Sequence, residues 1–493
     1  MSMSDTLSQP LNRRRFLQTA AAATAGAASF PAILSACGDA NTSTGKTVTL
    51  QYWDTFVSQA AWVDQEIKLF EQAHPSIKIK KRTQVGGTFN TIYSLAVRSG
   101  KTPDVSMIPG PDPLATQVQK GWYLDWNKWA TNSWKTHFPS QSFLEGTNVF
   151  NGKIYSAQLN SSAPFVQLYS NNKIFKDAGL VNKDGSAMLP RTWDDVTRAA
   201  EAITKKSTGQ VAGFAFSGGE GPVWFAFMLH VFVVGAGTPQ GAFGADDRVG
   251  KYTFSTDRNY TDFIELLLDW KKRGFIYSNV MSTKDEVQRR FFSQGKIGMV
   301  TNGVWAQPTW KQDGFTNYSL SALVSPSTNP KAYYGRTNAG SEFTISAKTK
   351  YPDESWAWID WLYSPAAGKR WVDMGEDASI YPQNNNPANA KDRQFAQFLE
   401  TTKLTRIRPA AIVKNPQTAK VTVNGVTPDI GDVLQGIFTG QIKDIKGALQ
   451  ALDARWETER ARAIKAANQQ GYKVSIADFT FPDWDPTKDY IQK

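Results

Sequence analysis

Gly100-Lys101-Thr102 has the closing residues of a phosphate-cradling loop. That loop needs another glycine five residues before Gly100, where Leu95 stands, and it must open a helix, whereas this segment leaves one. Gly45-Lys46-Thr47 fails likewise, with Ala40 in the glycine position. Val234-Gly235-Ala236-Gly237 resembles a dinucleotide loop, but Gln240 takes the place of its last glycine and Pro239 interrupts any helix. No G-x-S-x-G elbow and no H-E-x-x-H pair occurs. One cysteine (Cys37) and three scattered histidines (His74, His137, His230) exclude an intramolecular disulfide and a Cys/His zinc cluster. The neighbouring carboxylates Asp194/Asp195 and Asp246/Asp247 suit a helix dipole better than acid–base work. A glycosidase needs two carboxylates that converge in space, which sequence spacing leaves open. No cofactor and no metal is expected.

The elements that must position any site follow an α/β rhythm. Val48–Trp53 and Ile77–Lys81 read as strands, with a helical period at Val63, Ile67 and Phe70 between them that Pro75 stops. Gly86-Gly87 marks a loop, Thr91–Arg98 a helix and Val105–Ile108 a third strand, so a parallel sheet with flanking helices is expected. The rhythm resumes with strands at Phe165–Tyr169, Phe214–Phe216, Ile297–Thr301 and Phe343–Ser346. Thr192 caps a helix carrying Val196, Ala199, Ala200 and Ile203; a longer helix spans Asp257–Lys272; Thr283 and Glu286 form a capping box. Further helices carry Trp356, Ile359 and Leu362, and run from Ile445 to Ala467. The Asp/Pro-rich tail from Gly471 to Lys493 reads as an irregular strap. The 493 residues allow two to four domains, and 41% apolar with 20% charged residues describes a chain with ample core. The absence of repeats or low-complexity linkers predicts interwoven lobes rather than beads.

The N-terminus reads as an address. Asn12-Arg13-Arg14-Arg15-Phe16-Leu17 resembles a twin-arginine export signal, and the uncharged, Ala-rich stretch Thr19–Leu34 resembles its apolar region. Leu34-Ser35-Ala36-Cys37 resembles a bacterial lipobox, in which the cysteine is acylated after cleavage. Residues 1–36 are therefore expected to be an export signal, and 37–46 a lipidated Cys37 with a polar tether. Two or three acyl chains, at about 0.8 kcal/mol per buried CH₂, hold a domain at a membrane without a spanning helix. The net charge of +11 has no aromatic comb or arginine-rich tract beside it, so it reads as a solvated surface and not as a nucleic-acid partner site.

Ordered along the chain stand VTLQYWDTF, FEQAHPSIKIK, SGKTPDVSMI, GWYLDW, NGKIYSAQL, FVQLYSNNKIFKDAGL, LPRTWDDV, FSQGKIGMVTNGVW, GSEFTISAKTK and ESWAWIDWLYSP. This series resembles the bacterial extracellular solute-binding proteins of the carbohydrate-uptake group, the maltodextrin-binding-protein family. The resemblance implies an α/β, two-lobed, periplasmic-binding-protein-like fold with interwoven lobes and a central ligand cleft. It implies lobe I from 47–160 plus 340–378 and lobe II from 163–336 plus 382–493. It also implies a receptor that delivers solute to the permease of an ABC importer from outside the cytoplasm. With no intact catalytic motif, the chain is expected to bind without turnover, and to do so as a monomer. A non-sugar solute (polyamine, phosphodiester or peptide) and a surface-anchored carbohydrate-active enzyme remain as alternatives. The stretch Gly235–Lys251 and the tail beyond Gly471 depart from the family pattern.

A sugar shows an apolar C–H face, which aromatic rings cover, and a rim of hydroxyls, which Asp, Glu, Asn and Arg bond. Trp62, Trp270, Trp356 and Trp456 fall on helical apolar faces and are assigned to packing. Binding candidates lie at strand ends. They are Trp53 and Asp54 after the first strand, Gly87 and Thr88 after the second, Asp112 after the third, and Glu220 and Trp224 in the loop SGGEGPVW. Asn160 and Glu342 fall at expected lobe crossings. Asn302 and Trp305 match the family's N-G-x-W loop, whose tryptophan stacks on sugar. Tyr381 and Arg408 complete the set.

Overall fold

The computed structural model describes residues 47–491 apart from 111, 162–163, 165, 239–243 and 330. The expected export signal, Cys37 and the tether lie outside the described residues, as does Phe165. Along the chain the strands are β1 (Val48–Asp54), β2 (Ile77–Thr83), β3 (Val105–Met107), β4 (Tyr123–Leu124), β5 (Val149–Phe150) and β6 (Lys153–Ile154). They continue as β7 (Val166–Asn171), β8 (Ala212–Ala215), β9 (Ile297–Gly303), β10 (Tyr318–Ser321), β11 (Tyr334–Arg336), β12 (Phe343–Ser346) and β13 (Thr405–Ile407).

Two main sheets result. One has the order β2-β1-β3-β12-β4, the other β10-β7-β9-β8. β1 pairs in parallel with β2 and β3, and β8 with β9. β12 runs antiparallel to β3, and β7 antiparallel to both β9 and β10, so both sheets are mixed and not wholly parallel. The added antiparallel strands arrive from distant parts of the chain, which local periodicity does not register. Every residue of β7 and β9 is buried, as expected of strands covered on both faces.

The covering helices follow their caps. Thr192 and Asp195 form a reciprocal capping box for the helix Trp193–Lys206, whose Val196, Ala199, Ala200 and Ile203 are buried. Asp257 caps Arg258–Lys272. The Thr283/Glu286 box does not form. Lys284 is the N-cap of the helix Asp285–Ser293, and the Thr283 hydroxyl instead donates to the Asn279 carbonyl at 2.7 Å. Gly86 and Gly87, expected in a loop, are the first residues of the helix Gly86–Ser99. Trp224, also expected in a loop, lies in the first turn of the helix Pro222–Val234. That helix is apolar nearly all round and is buried from Phe225 onward except at Phe227. It packs against Ile430–Thr439, and a Cβ on Gly431 would sit 2.1 Å from the Pro222 carbonyl oxygen, so only glycine permits this approach.

Three connections between the sheets run side by side. Ser161 N donates to Ala378 O at 2.7 Å, Ile380 N to Leu159 O at 3.1 Å, and Glu342 N to Ala157 O at 3.0 Å. The tail has one short 3₁₀ turn, Ile476–Phe479, and straps the small parallel ladder of β11 and β13. Ile407 N donates to Asp489 Oδ1 at 2.8 Å, and Tyr490 N to Ile407 O at 2.8 Å.

Candidate functional site

The buried β9 ends in the turn that carries Trp305. Asn302, fully buried, donates through Nδ2 to Asp285 Oδ1 at 2.8 Å and to Gln288 Oε1 at 3.1 Å. Its Oδ1 accepts from Gly303 N at 2.8 Å, so it fixes the turn and does not face outward. The indole of Trp305 folds over Gly303, where a Cβ would come within 2.0 Å of the ring. Its Nε1 donates to Asp285 Oδ2 at 3.5 Å. Burial pushes the Asp285 carboxyl up, against Arg289 and the Asn302 hydrogen bond, which lower it.

Around the half-buried Trp305 an aromatic row assembles. Trp224 lies 5.9 Å from it between ring centroids, and Phe227 lies nearly parallel at 6.4 Å and 8°. Phe227 stacks on His230 at 5.6 Å, and His230 meets Tyr334 at 6.1 Å. The helix Pro222–Val234 supplies three of these rings because Trp224, Phe227 and His230 recur at helical spacing. Trp224 Nε1 donates to Ser217 Oγ at 2.7 Å, which fixes its ring.

At Tyr334 the row meets charge. Tyr334 lies within the electrostatic reach of Arg336, Arg408 and Asp377. Glu342, half-buried, has its carboxyl pushed up to about 7 by burial, opposed by Arg336 and reinforced by Asp377. Burial pushes Asp377 up to about 6, opposed by an Asn160 Nδ2 hydrogen bond at 2.8 Å and by its own link to Ala378 N at 2.7 Å. Asn160 in turn accepts from Gln158 Nε2 at 2.8 Å. The buried Glu376 is pushed up to about 8, first by burial and then by Asp377. A cavity of about 660 Å³ opens beside this cluster, with Phe227, His230, Tyr334, Arg336 and Arg408 in its wall.

The structure thus brings Trp224, Trp305, Asn160, Glu342 and Arg408 into one neighbourhood and leaves the other candidates elsewhere. Asp54 is fully buried and accepts from Phe56 N at 3.2 Å. Trp53 sits under Arg82 at 4.8 Å and edge-on to Tyr93, in the small core of Phe89, Leu114 and Tyr123. Gly87 and Thr88 are exposed on the first helical turn. Asp112 is half-buried and paired with Lys120 at 2.6 Å. Glu220 is engaged as a cap, accepting from Asp285 N at 3.0 Å. Tyr381 is core, 1% exposed, with its hydroxyl donating to the Tyr363 carbonyl. Sequence reasoning missed Phe227, Tyr334, Arg336 and Asp377. Phe227 carried a helical signal with Trp224, masked by the apolar run around it; the other three carried none. Among the described residues, no group of His, Cys, Asp or Glu could hold a metal ion, and no helix is long and apolar enough to cross a membrane.

Comparison with known proteins places the chain in a family. Residues 53–369 match the family described as bacterial extracellular solute-binding protein, and the chain belongs to that family. No curated protein matches it. Among solved structures it is similar to the GacH receptor of Streptomyces glaucescens, studied unliganded and with acarbose, at 17% identity and a TM-score of 0.62, covering 87% of this chain and 100% of that one. A solute-binding protein of an ABC transporter from Thermotoga lettingae, bound with α-D-tagatose, gives 19% and 0.62 over 84% of this chain and 100% of that one. RafE in complex with raffinose gives 18% and 0.60 over the same shares. The fold is accordingly that of the two-lobed periplasmic sugar-binding proteins.

Proposed function

We propose that this chain captures a sugar or oligosaccharide outside the cytoplasm and presents it to the permease of an ABC importer. The observation that carries this reading is the half-buried row Trp224, Trp305 and Phe227, which leads through His230 and Tyr334 to the carboxyls of Glu342 and Asp377 on the crossing segments. Rings of this kind cover the C–H face of a pyranose and exclude water from its hydroxyl bonds. A carboxyl that burial pushes up to about 7, like that of Glu342, can both donate to and accept from hydroxyls. The GacH, Thermotoga and RafE structures, with acarbose, tagatose and raffinose, support the same substrate class.

Lobe I is 47–160 plus 340–378 and lobe II is 163–336 plus 382–493. The adjacent crossings at Asn160, Glu342 and Ser379 serve as the hinge, so that bound ligand favours a closed state. The chain binds without turnover, acts as a monomer, and is exported by a twin-arginine signal and anchored through Cys37. Cys37→Ala should free it from membranes and leave binding intact; equal release of the unaltered chain would contradict the anchor. A thermal-shift and calorimetric screen over neutral oligosaccharides, polyamines, phosphodiesters and peptides tests the substrate class. Stabilisation by one or more sugars supports it; stabilisation only by one of the other classes overturns it.

A further inference from the structure

Two segments beyond the family match, Arg408–Ile412 and the tail at Phe479 and Phe481, help build a pocket wall next to the aromatic row. The 660 Å³ cavity is lined on one side by Phe227 and His230 of the helix Pro222–Val234 and on another by Tyr334–Thr337. Its remaining wall includes Asp247 from the stretch that departs from the family pattern, Arg408 after β13, and Phe479 and Phe481 from the tail. These parts are tied together. Phe481 N donates to Asp247 O at 2.7 Å, Arg408 Nη2 to Asp247 Oδ2 at 3.1 Å, and Arg408 N to Arg336 O at 3.4 Å.

The charges in this wall do not balance. Arg408 is matched by Asp247. The guanidinium of Arg336, half-buried and in the same wall, makes no hydrogen bond and no ion pair with any described residue. Glu342 and Asp377 lie within its electrostatic reach without forming an ion pair with it, and burial pushes both carboxyls up. A guanidinium in a pocket wall, with five donors and no protein acceptor engaged, is free to take an anion that enters the pocket. The geometry points to a ligand that carries its own anionic group: we propose that this pocket is a subsite for a carboxylate or phosphate on a sugar residue, held by Arg336 with Arg408 beside it. The half-buried rings of Phe227 and Phe479 receive the sugar ring, and the planar fork of Arg336 receives two oxygens of the anion. This inference rests on the sugar-receptor reading and narrows its substrate class to acidic saccharides.

The test uses the full chain and matched pairs of probes. These are galacturonic-acid dimers to tetramers against their carboxyl-reduced counterparts, glucuronic-acid-bearing xylo-oligosaccharides against plain ones, and maltotriose 6-phosphate against maltotriose. Melting temperature and calorimetric affinity are measured at low and at moderate salt. In at least one pair the acidic member should bind about tenfold or more tightly than its neutral partner, with the preference shrinking as salt rises. Arg336→Gln should lower the acidic member's affinity about tenfold more than the neutral member's, without changing the melting temperature of the free protein by more than a degree or so. A preference confined to uronates identifies carboxylate as the anion; one confined to the phosphorylated probe identifies phosphate. If neutral members bind as well as acidic ones in every pair, or if Arg336→Gln weakens both alike, the anion subsite is overturned while the sugar receptor stands. If no saccharide binds while another solute class does, both readings fall together.

Discussion

Trp305 shows how one residue type can be asked two questions. Its ring is half-buried, lies over Gly303, and is tethered to Asp285 by a 3.5 Å contact. If it caps a sugar face in a desolvated site, Trp305→Ala should cost about 2–4 kcal/mol of binding, or roughly 30- to 1000-fold in affinity. If it only packs, the same change should cost about 3–5 kcal/mol of folding stability. Titration and urea unfolding of one variant separate these, and wild-type affinity would remove Trp305 from the site. Glu342 makes a pH-dependent prediction. Its carboxyl ionises near 4.5 when unfolded and is pushed up to about 7 by burial when folded. Between these values the folded state holds more protons, so this group's contribution to stability falls as pH rises through that window. Glu342→Gln removes the penalty. Its stability relative to the unaltered chain should rise from about pH 5 to about pH 8 and then level off. A pH-independent difference would show that the carboxyl is not held in its protonated form. Asp54, Asn302 and Tyr381 looked equally suited to hydroxyl binding. Residue type does not tell whether a polar side chain faces ligand or its own backbone, and these three are turned inward.

At the scale of elements, the helix Asp285–Ser293 starts without a side-chain cap of its own, and Glu220, 65 positions away, accepts from its first N–H. Glu220→Ala should therefore destabilise the fold by about 1 kcal/mol and shift ligand affinity by less than about threefold. A large loss of affinity at full stability would instead return Glu220 to the ligand. This long-range cap explains why the local Thr283/Glu286 pattern misled. Elements with their own caps and periodicity were legible, as Thr192 before Trp193–Lys206 and Asp257 before Arg258–Lys272 demonstrate. Pro222–Val234 was not, because a helix apolar on nearly every side carries no amphipathic signal. Phe227 and His230 were hidden with it, since both lie on that helix. Arg336 comes within electrostatic reach of Asp377 only through the long-range alignment of the chain, which no sequence spacing encodes.

Across the whole molecule, Thr47–Lys493 is one compact unit, which fits lobes woven together by three side-by-side crossings. The tail is part of that unit. It buries Phe481 and Trp484, and it holds β13 through Asp489 and Tyr490. A chain ended after Gln470 should lose roughly 3–5 kcal/mol in urea unfolding, the range for removing a buried large aromatic. Unchanged stability would show the tail to be dispensable. The central claim is that the row from Trp305 to Glu342 is a sugar-capture site between two closing lobes. It is tested most directly by titrating the purified chain with the screened oligosaccharides in a calorimeter while small-angle scattering follows its size and chromatography follows the sugar. The account predicts saturable binding to one site per chain, a decrease in radius of gyration at saturation, and sugar recovered unchanged. Steady release of product, or saturation of every sugar without heat or compaction, would contradict it.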